Sequence, residues 1–275
     1  MRHAEAPRYS EIRPPDLSAA QTNHEDTMHC SWFRRYLLRR ARSKAIASAL
    51  TESPGGLRLH FGCGQHLLDG WLNFDLEPPA GAFLLDARQP LPFPSACSRF
   101  IFHEHFLEHL RFDEGLAFLT ECARVLRPGG IMRMSTPDLR RIIATYLDVN
   151  PDVRLHAALE RHKGMLEATH PVTPAVFFND KMRGWGHRFI YDEEILRRRL
   201  HQAGFSSVVR RPFGHSEIPA LRGLETHADV QWMRSAEPLI VEARIPEDVP
   251  SSPRNTPTGE HHASSRHPLS TPDGN

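Results

Sequence analysis

No stretch of this 275-residue chain approaches the roughly 18 apolar residues that a membrane-spanning helix needs. Neither sign of charge is in excess: 34 Lys and Arg face 33 Asp and Glu, leaving +1. That excludes the whole-chain basicity of many nucleic-acid binders, though not a local basic patch. Cysteine is scarce, and Cys30, Cys63, Cys97 and Cys122 form no C-x-x-C pair. A disulfide framework and a thiolate zinc site are therefore not expected; four reduced thiols in a cytoplasmic protein are. The first thirty residues hold no apolar core of the secretory type. Proline, by contrast, is plentiful at 23 residues, against a usual share of about 5%. It points to loops and tails beyond a folded body of roughly 200 to 250 residues.

Composition divides the chain into three zones. Residues 1–54 are an irregular lead-in ending in a basic helix, 55–245 alternate strand-like and helix-like patterns, and 246–275 form a tail. The tail has too few aliphatic residues to offset the ordering of its backbone, and disorder is expected there. In the helix expected over 31–50, Trp32, Phe33, Tyr36, Leu37 and Ala41 follow helical spacing. Arg34, Arg35, Arg39, Arg40, Arg42 and Lys44 supply six positive charges on the same segment. Such a stretch either packs on the domain with a solvated basic face or docks to RNA or anionic lipid.

In the middle zone, strands are expected at 57–61, 71–75, 83–85, 99–103 and 131–135, with two closing strands at 205–213 and 239–245. Helices are expected behind Asp113, Asp138 and Asp192 as caps, the first stopped by Arg127-Pro-Gly-Gly. Alternation of this kind predicts an α/β fold with a mostly parallel sheet, helices on both faces and an antiparallel last strand. In such sheets ligands bind beyond the carboxyl ends of the strands. That rule selects Gly62–Gly64, Asp75, Asp86, His103–His109 and Ser135–Asp138. Glycines after strand one allow close backbone approach. A carboxylate ending strand two can accept from both hydroxyls of a ribose, and one ending strand three can accept from an adenine amino group.

The segments LHFGCGQHLLDGWLNFDL, DARQPLPFPSACSRFIFHEHFLEHL and ECARVLRPGGIMRMSTPDL, in that order, resemble the class I S-adenosylmethionine-dependent methyltransferases. They are most similar to the small bacterial type 11-like methyltransferase-domain group, and the resemblance spans about residues 57–245. It implies a Rossmann-like sheet and S-adenosyl-L-methionine as cofactor. Gly62, Cys63 and Gly64 would line the methionine moiety. Asp75 with Leu76 would meet the ribose, and Asp86 with Ala87 the adenine; His103 would stand with the cofactor residues at the end of strand four. Two departures stand out. His66 replaces the third glycine of the usual G-x-G-x-G loop, and Asp75 follows Gly62 by only 13 residues, where a dinucleotide fingerprint allows about 20. The short spacing counts against a nicotinamide dehydrogenase, which sets its pyrophosphate on a full helix N-terminus.

Histidines crowd the segment His103-Glu104-His105-Phe106-Leu107-Glu108-His109. His105 and His109 can share a helix face, but the motif is not H-E-x-x-H and no metal is expected. His105 and His187 are the candidate general bases, needed only if the acceptor must lose a proton; His187 as a satisfied loop histidine is the other reading. Residues 148–187 read as a lid or insertion, with Phe177, Phe178, Met182 and Trp185 either covering an acceptor or plugging the core edge. The expected function is methyl transfer to an unidentified acceptor. A non-catalytic binding module on the same fold, or RNA or lipid docking through 31–50, are the alternatives.

Overall fold

Leu57, Leu59 and Phe61 alternate along the first strand and are all fully buried, yet His60 between them is buried too. Both faces of this strand are therefore covered, as the centre of a parallel sheet requires. The structure, a computed structural model, describes residues 27–147, 173–225 and 238–247. The lead-in to residue 26, the 148–172 part of the expected insertion and the tail from 248 lie outside these.

The sheet has seven strands: β1 (Leu57–Phe61), β2 (Leu72–Asp75), β3 (Phe83–Leu84), β4 (Ser98–Glu104), β5 (Leu126–Thr136), β6 (Ser207–Arg210) and β7 (Leu239–Arg244). Their order is β3-β2-β1-β4-β5-β7-β6. Neighbours are parallel from β3 through β5, and β7 runs antiparallel to both β5 and β6. The fold is thus the expected Rossmann-like one with an antiparallel last strand. The strand order reverses between β1 and β4, and that switch point opens a crevice at their carboxyl ends.

Five helices are described: α1 (Thr27–Glu52), α2 (Phe112–Val125), α3 (Leu139–Leu147), α4 (Pro174–Arg183) and α5 (Glu193–Gln202). Residues of α1, α2 and α5 share one large core with the sheet, built around Leu59, Phe61, Ile101, Leu119 and Leu196. On the opposite face Phe100, Phe102 and Ile131 pack against Trp71, Leu221 and Leu224, which come from loops and a short 3-10 turn. A third cluster joins Ile142 of α3 and Phe177 of α4 to Ile190.

Some local expectations are corrected. Helix α2 starts at Phe112 behind Arg111, whose N–H is accepted by Glu114, so Asp113 lies in the first turn and is not the cap. Arg127-Pro-Gly-Gly does not end that helix; it stops at Val125, and these residues bulge within β5, where the pairing jumps from Ser98–Leu126 to Phe100–Ile131. Asp192 does cap its helix, accepting from the Ile195 amide at 2.9 Å. Of the basic set on α1, Arg42 turns inward and donates to the Leu84 carbonyl at 2.9 Å, while Arg34, Arg35, Arg39, Arg40 and Lys44 are exposed. Among the described side chains of α1, Ala45, Ile46 and Ala49 are buried and Tyr36 is exposed; the side chains of Trp32 and Phe33 lie outside the described ones.

Beneath β5 sits an ionic cluster that sequence patterning does not reveal. The fully buried Arg133 donates to Glu225 at 2.6 Å, to Glu242 at 2.8 Å and to the His215 carbonyl at 2.9 Å. It ties the segment after β6 to the sheet.

Candidate functional site

The carboxyl ends of β1, β2 and β4 open into a cavity of about 670 Å³, within the range of sites for small organic ligands. Gly62, Cys63, Gly64, Asp75, Leu76, Asp86, Ala87, His105 and His187 all line it. Residues as far apart in sequence as Gly62 and His187 meet there because parallel strands bring successive loops to one edge.

The loop after β1 is shaped by two glycines with left-handed backbone, Gly62 at φ +64 and Gly64 at φ +49. A Cβ on Gly62 would stand 2.4 Å from the Phe106 ring, so only glycine fits; a Cβ on Gly64 would meet nothing within 4 Å. The Asp75 carboxylate holds this loop. Its Oδ2 accepts from the Gly64 amide and its Oδ1 from the Glu77 amide, both at 2.9 Å. Each carboxylate oxygen keeps a further lone pair for a ligand hydroxyl. Cys63 is buried, and burial followed by the nearby Asp75 charge pushes its thiol up to about 12. It is a neutral wall and no nucleophile. The 62–71 connection contains no helix, so no helix N-terminus is offered to a pyrophosphate there. Leu76, half exposed at the cavity wall, offers an apolar surface to a nucleoside. A phosphate-free adenosyl ligand fits these residues.

Asp86 lines the cavity as expected, but its carboxylate is already gripped by Arg88, through Nε and Nη2 at 2.8 Å each and the Arg88 amide at 3.1 Å. The Arg88 side-chain bond holds this carboxyl below its ordinary range. His103 is corrected outright. The strand runs one residue further than expected, to Glu104, and it is Glu104 that reaches the cavity. Strand alternation turns His103 the other way, fully buried against Phe106 and Phe118. Burial pulls its imidazole down to about 3, which keeps it neutral.

His105 sits at φ +46, a backbone conformation that costs a non-glycine residue about 1–3 kcal/mol. Its Nδ1 lies 2.9 Å from Oε1 of Glu108. A carboxylate only accepts, so Nδ1 carries the hydrogen and Nε2 keeps the basic lone pair. Glu108 is fully buried. Its Oε2 accepts from the Thr136 hydroxyl at 3.2 Å, and its main-chain carbonyl accepts from the amides of Arg188 and Phe189. Burial pushes its carboxyl up, but the hydrogen bond and charge of His105 outweigh this and the net shift is downward.

The far wall comes from α4 and the turn after it. Lys181, Trp185 and His187 line the cavity. Burial lowers the Lys181 ammonium to about 8, and its Nζ lies 4.7 Å from the Trp185 ring centroid. The His187 Nδ1 donates to the Lys181 carbonyl at 2.8 Å, and burial shifts its imidazole downward. The apolar set divides between two places. Phe177, Phe178 and Met182 plug the small core beside α3, and Trp185 stands half exposed at the cavity. Lys181 is not singled out by the sequence, and Glu108 and His109 enter there only as members of the 103–109 segment. The one available signal was Glu108 three residues after His105, a spacing that lets the two side chains meet on one turn.

Residues 75–134 match the family model described as "Methyltransferase domain". No curated protein matches the chain. Among solved structures, a SAM dependent methyltransferase from Archaeoglobus fulgidus is similar at 15% identity, covering 77% of this chain and 94% of that one with a TM-score of 0.40. A SAM-dependent methyltransferase from Thermotoga maritima, described as a possible histamine N-methyltransferase, has 16% identity, 81% and 97% coverage and a TM-score of 0.37. An S-adenosylmethionine dependent methyltransferase from Mesorhizobium loti has 16% identity, 73% and 96% coverage and a TM-score of 0.39.

Proposed function

We propose that this chain is a class I S-adenosylmethionine-dependent methyltransferase of the type 11 kind and that it methylates a protic oxygen or nitrogen of its acceptor. The observation that carries this reading is His105 in the cavity wall, held from behind by the buried Glu108. A buried carboxylate that fixes the tautomer of a cavity histidine is the arrangement of an oriented general base. An acceptor that is already nucleophilic would have no use for it.

S-adenosylmethionine, when bound, supplies a methyl group activated on a sulfonium. The chain's own residues do the rest. Asp75 accepts from the ribose hydroxyls, and Gly62 to Gly64 bring backbone close to the methionine part. Leu76 and Ala87 flank the adenine, with Asp86 near its amino group. Nε2 of His105 takes the acceptor's proton. Trp185, Lys181 and His187 on α4 and its turn form the acceptor wall, and we assign this part of 148–187 as a cover that excludes water. His187 acts there as a positioning residue, its ring fixed by the bond from Nδ1 to the Lys181 carbonyl.

The test is transfer of labelled methyl groups to a panel of phenols, alcohols and amines, with His105→Gln beside the parent. A general base contributes about 10²- to 10⁴-fold, so the variant should lose at least 100-fold in kcat while binding adenosylhomocysteine normally. Undiminished turnover in the variant overturns the assignment of His105.

A further inference from the structure

Two histidines of the cavity wall and the buried Glu108 beside them have a chemistry the methyl transfer itself does not require. Glu108, His109 and His187 each place one ligating atom within 4.8 Å of the other two. Two imidazoles and one carboxylate form the His₂Glu set of open, catalytic-type zinc sites, which leave a position for a further ligand. Bonds of about 2.0–2.2 Å in tetrahedral geometry put ligand atoms roughly 3.3–3.5 Å apart, so the three need to draw in by up to about 1.5 Å. His109 and His187 are half-buried side chains on the cavity wall and have room to do so.

The outer bonds also suit a metal. The Lys181 carbonyl can only accept, so Nδ1 of His187 holds the hydrogen and Nε2 keeps its lone pair for a cation. A ligating histidine characteristically donates its other N–H to a carbonyl or carboxylate in this way. Glu108 is anchored by Thr136 and His105, one on each oxygen, and each oxygen has a second lone pair to give. The rings of His109 and His187 meet edge to face with centroids 5.0 Å apart, a spacing a shared cation closes. The sequence conceals the group, because His187 lies far along the chain from Glu108 and His109.

We propose that Glu108, His109 and His187 bind a divalent first-row transition ion of the zinc type, whose open position faces the cavity and holds the acceptor's oxygen. The second clause rests on the methyltransfer reading above; the first does not. Bound oxygen ligands lose protons more readily, so the ion and His105 would act on the same hydroxyl.

The test is titration of chelator-treated full-length protein with Co²⁺, read by its visible absorption, and with Zn²⁺, read by calorimetry. The comparison is the His109→Ala/His187→Ala double variant, with adenosylhomocysteine binding as the check on folding. Glu108 is left intact because its loss would strand His105 and Thr136. One ion per chain is expected, with the intense bands of low-coordinate cobalt. The double variant should weaken binding by more than the roughly 10- to 100-fold that loss of an orienting partner costs. Should the double variant misfold, the single variants His187→Gln and His109→Gln provide the same comparison. The absence of bands and heat in the parent, or equal bands in the ligand variants, overturns the site. Binding of adenosylhomocysteine in metal-free protein, together with methyl transfer unaffected by chelator, would refute only the role of the ion in holding acceptor.

Discussion

Gly62 and Gly64 are neighbours with the same left-handed backbone, and the structure sets opposite fates for an alanine at each. A Cβ on Gly62 falls 2.4 Å from Cδ2, 2.9 Å from Cγ and 3.1 Å from Cβ of Phe106. The clash is with the root of the ring, and Phe106 is in turn packed on Phe118 with centroids 5.1 Å apart. The backbone penalty is about 1–2 kcal/mol and overpacking adds about 1–3 kcal/mol. The gain from a stiffer unfolded chain returns about 0.4–1 kcal/mol. Gly62→Ala should therefore lose roughly 2–4 kcal/mol, or about 4–16 °C in Tm at 2–4 °C per kcal/mol. At Gly64 the overpacking contribution vanishes, because nothing lies within 4 Å. Gly64→Ala should lose under about 1.5 kcal/mol, less than roughly 6 °C. Its methyl would instead project into the ligand's space, so adenosylhomocysteine should bind at least tenfold more weakly, about 1.4 kcal/mol. Differential scanning fluorimetry and isothermal titration separate the two effects. Equal losses of Tm in the two variants, or undiminished binding by Gly64→Ala, would refute this account of the loop.

Three further outcomes are expected. Asp75→Ala removes the acceptor for two backbone amides and, in the proposed function, for the ribose. Without ligand it should lose about 1–2 kcal/mol after allowance for partial exposure, and adenosylhomocysteine affinity should fall by roughly 30- to 1000-fold by titration; unchanged stability would mean that the loop does not depend on this carboxylate. Arg133→Met leaves Glu225 buried without its cation, although Glu242 keeps Arg211 at 2.9 Å. Denaturant unfolding should register a loss of about 3–5 kcal/mol, and a neutral result would show that the cluster relaxes. His60 and His103 are held neutral by burial, at about 4 and about 3. In the unfolded chain they take up protons near pH 6.5, so stability is fully present above that pH. It should fall as pH drops below it, by up to about 1.4 kcal/mol per unit for each group. Equal Tm at pH 7.5 and pH 5 would contradict this, and His60→Gln should flatten the slope.

Some of this architecture is written in local pattern, where one or two neighbouring residues decide. Leu57, Leu59 and Phe61 announce a strand by alternation; Asp192 announces a helix start by what its side chain can accept. Glycine at 62 and 64 and an acid ending the second strand mark the cavity edge, because backbone conformation and strand termini are properties of short segments. Other features are decided only once strands and loops are assembled. Glu104 and not His103 reaches the cavity because successive strand residues point to opposite faces, and only the packing on the sheet sets which of the two is open there. Arg42 leaves the basic face because β3 lies beneath it. Arg133 finds Glu225 and Glu242 only when strand β7 and the loop after β6 are laid beside β5. The same holds at the cavity: Glu108 and His109 are one turn of chain, His187 is far away, and no periodicity links them. Tertiary structure alone brings their ligating atoms together, because the chain returns beneath β5 and donates the Arg188 and Phe189 amides to the Glu108 carbonyl.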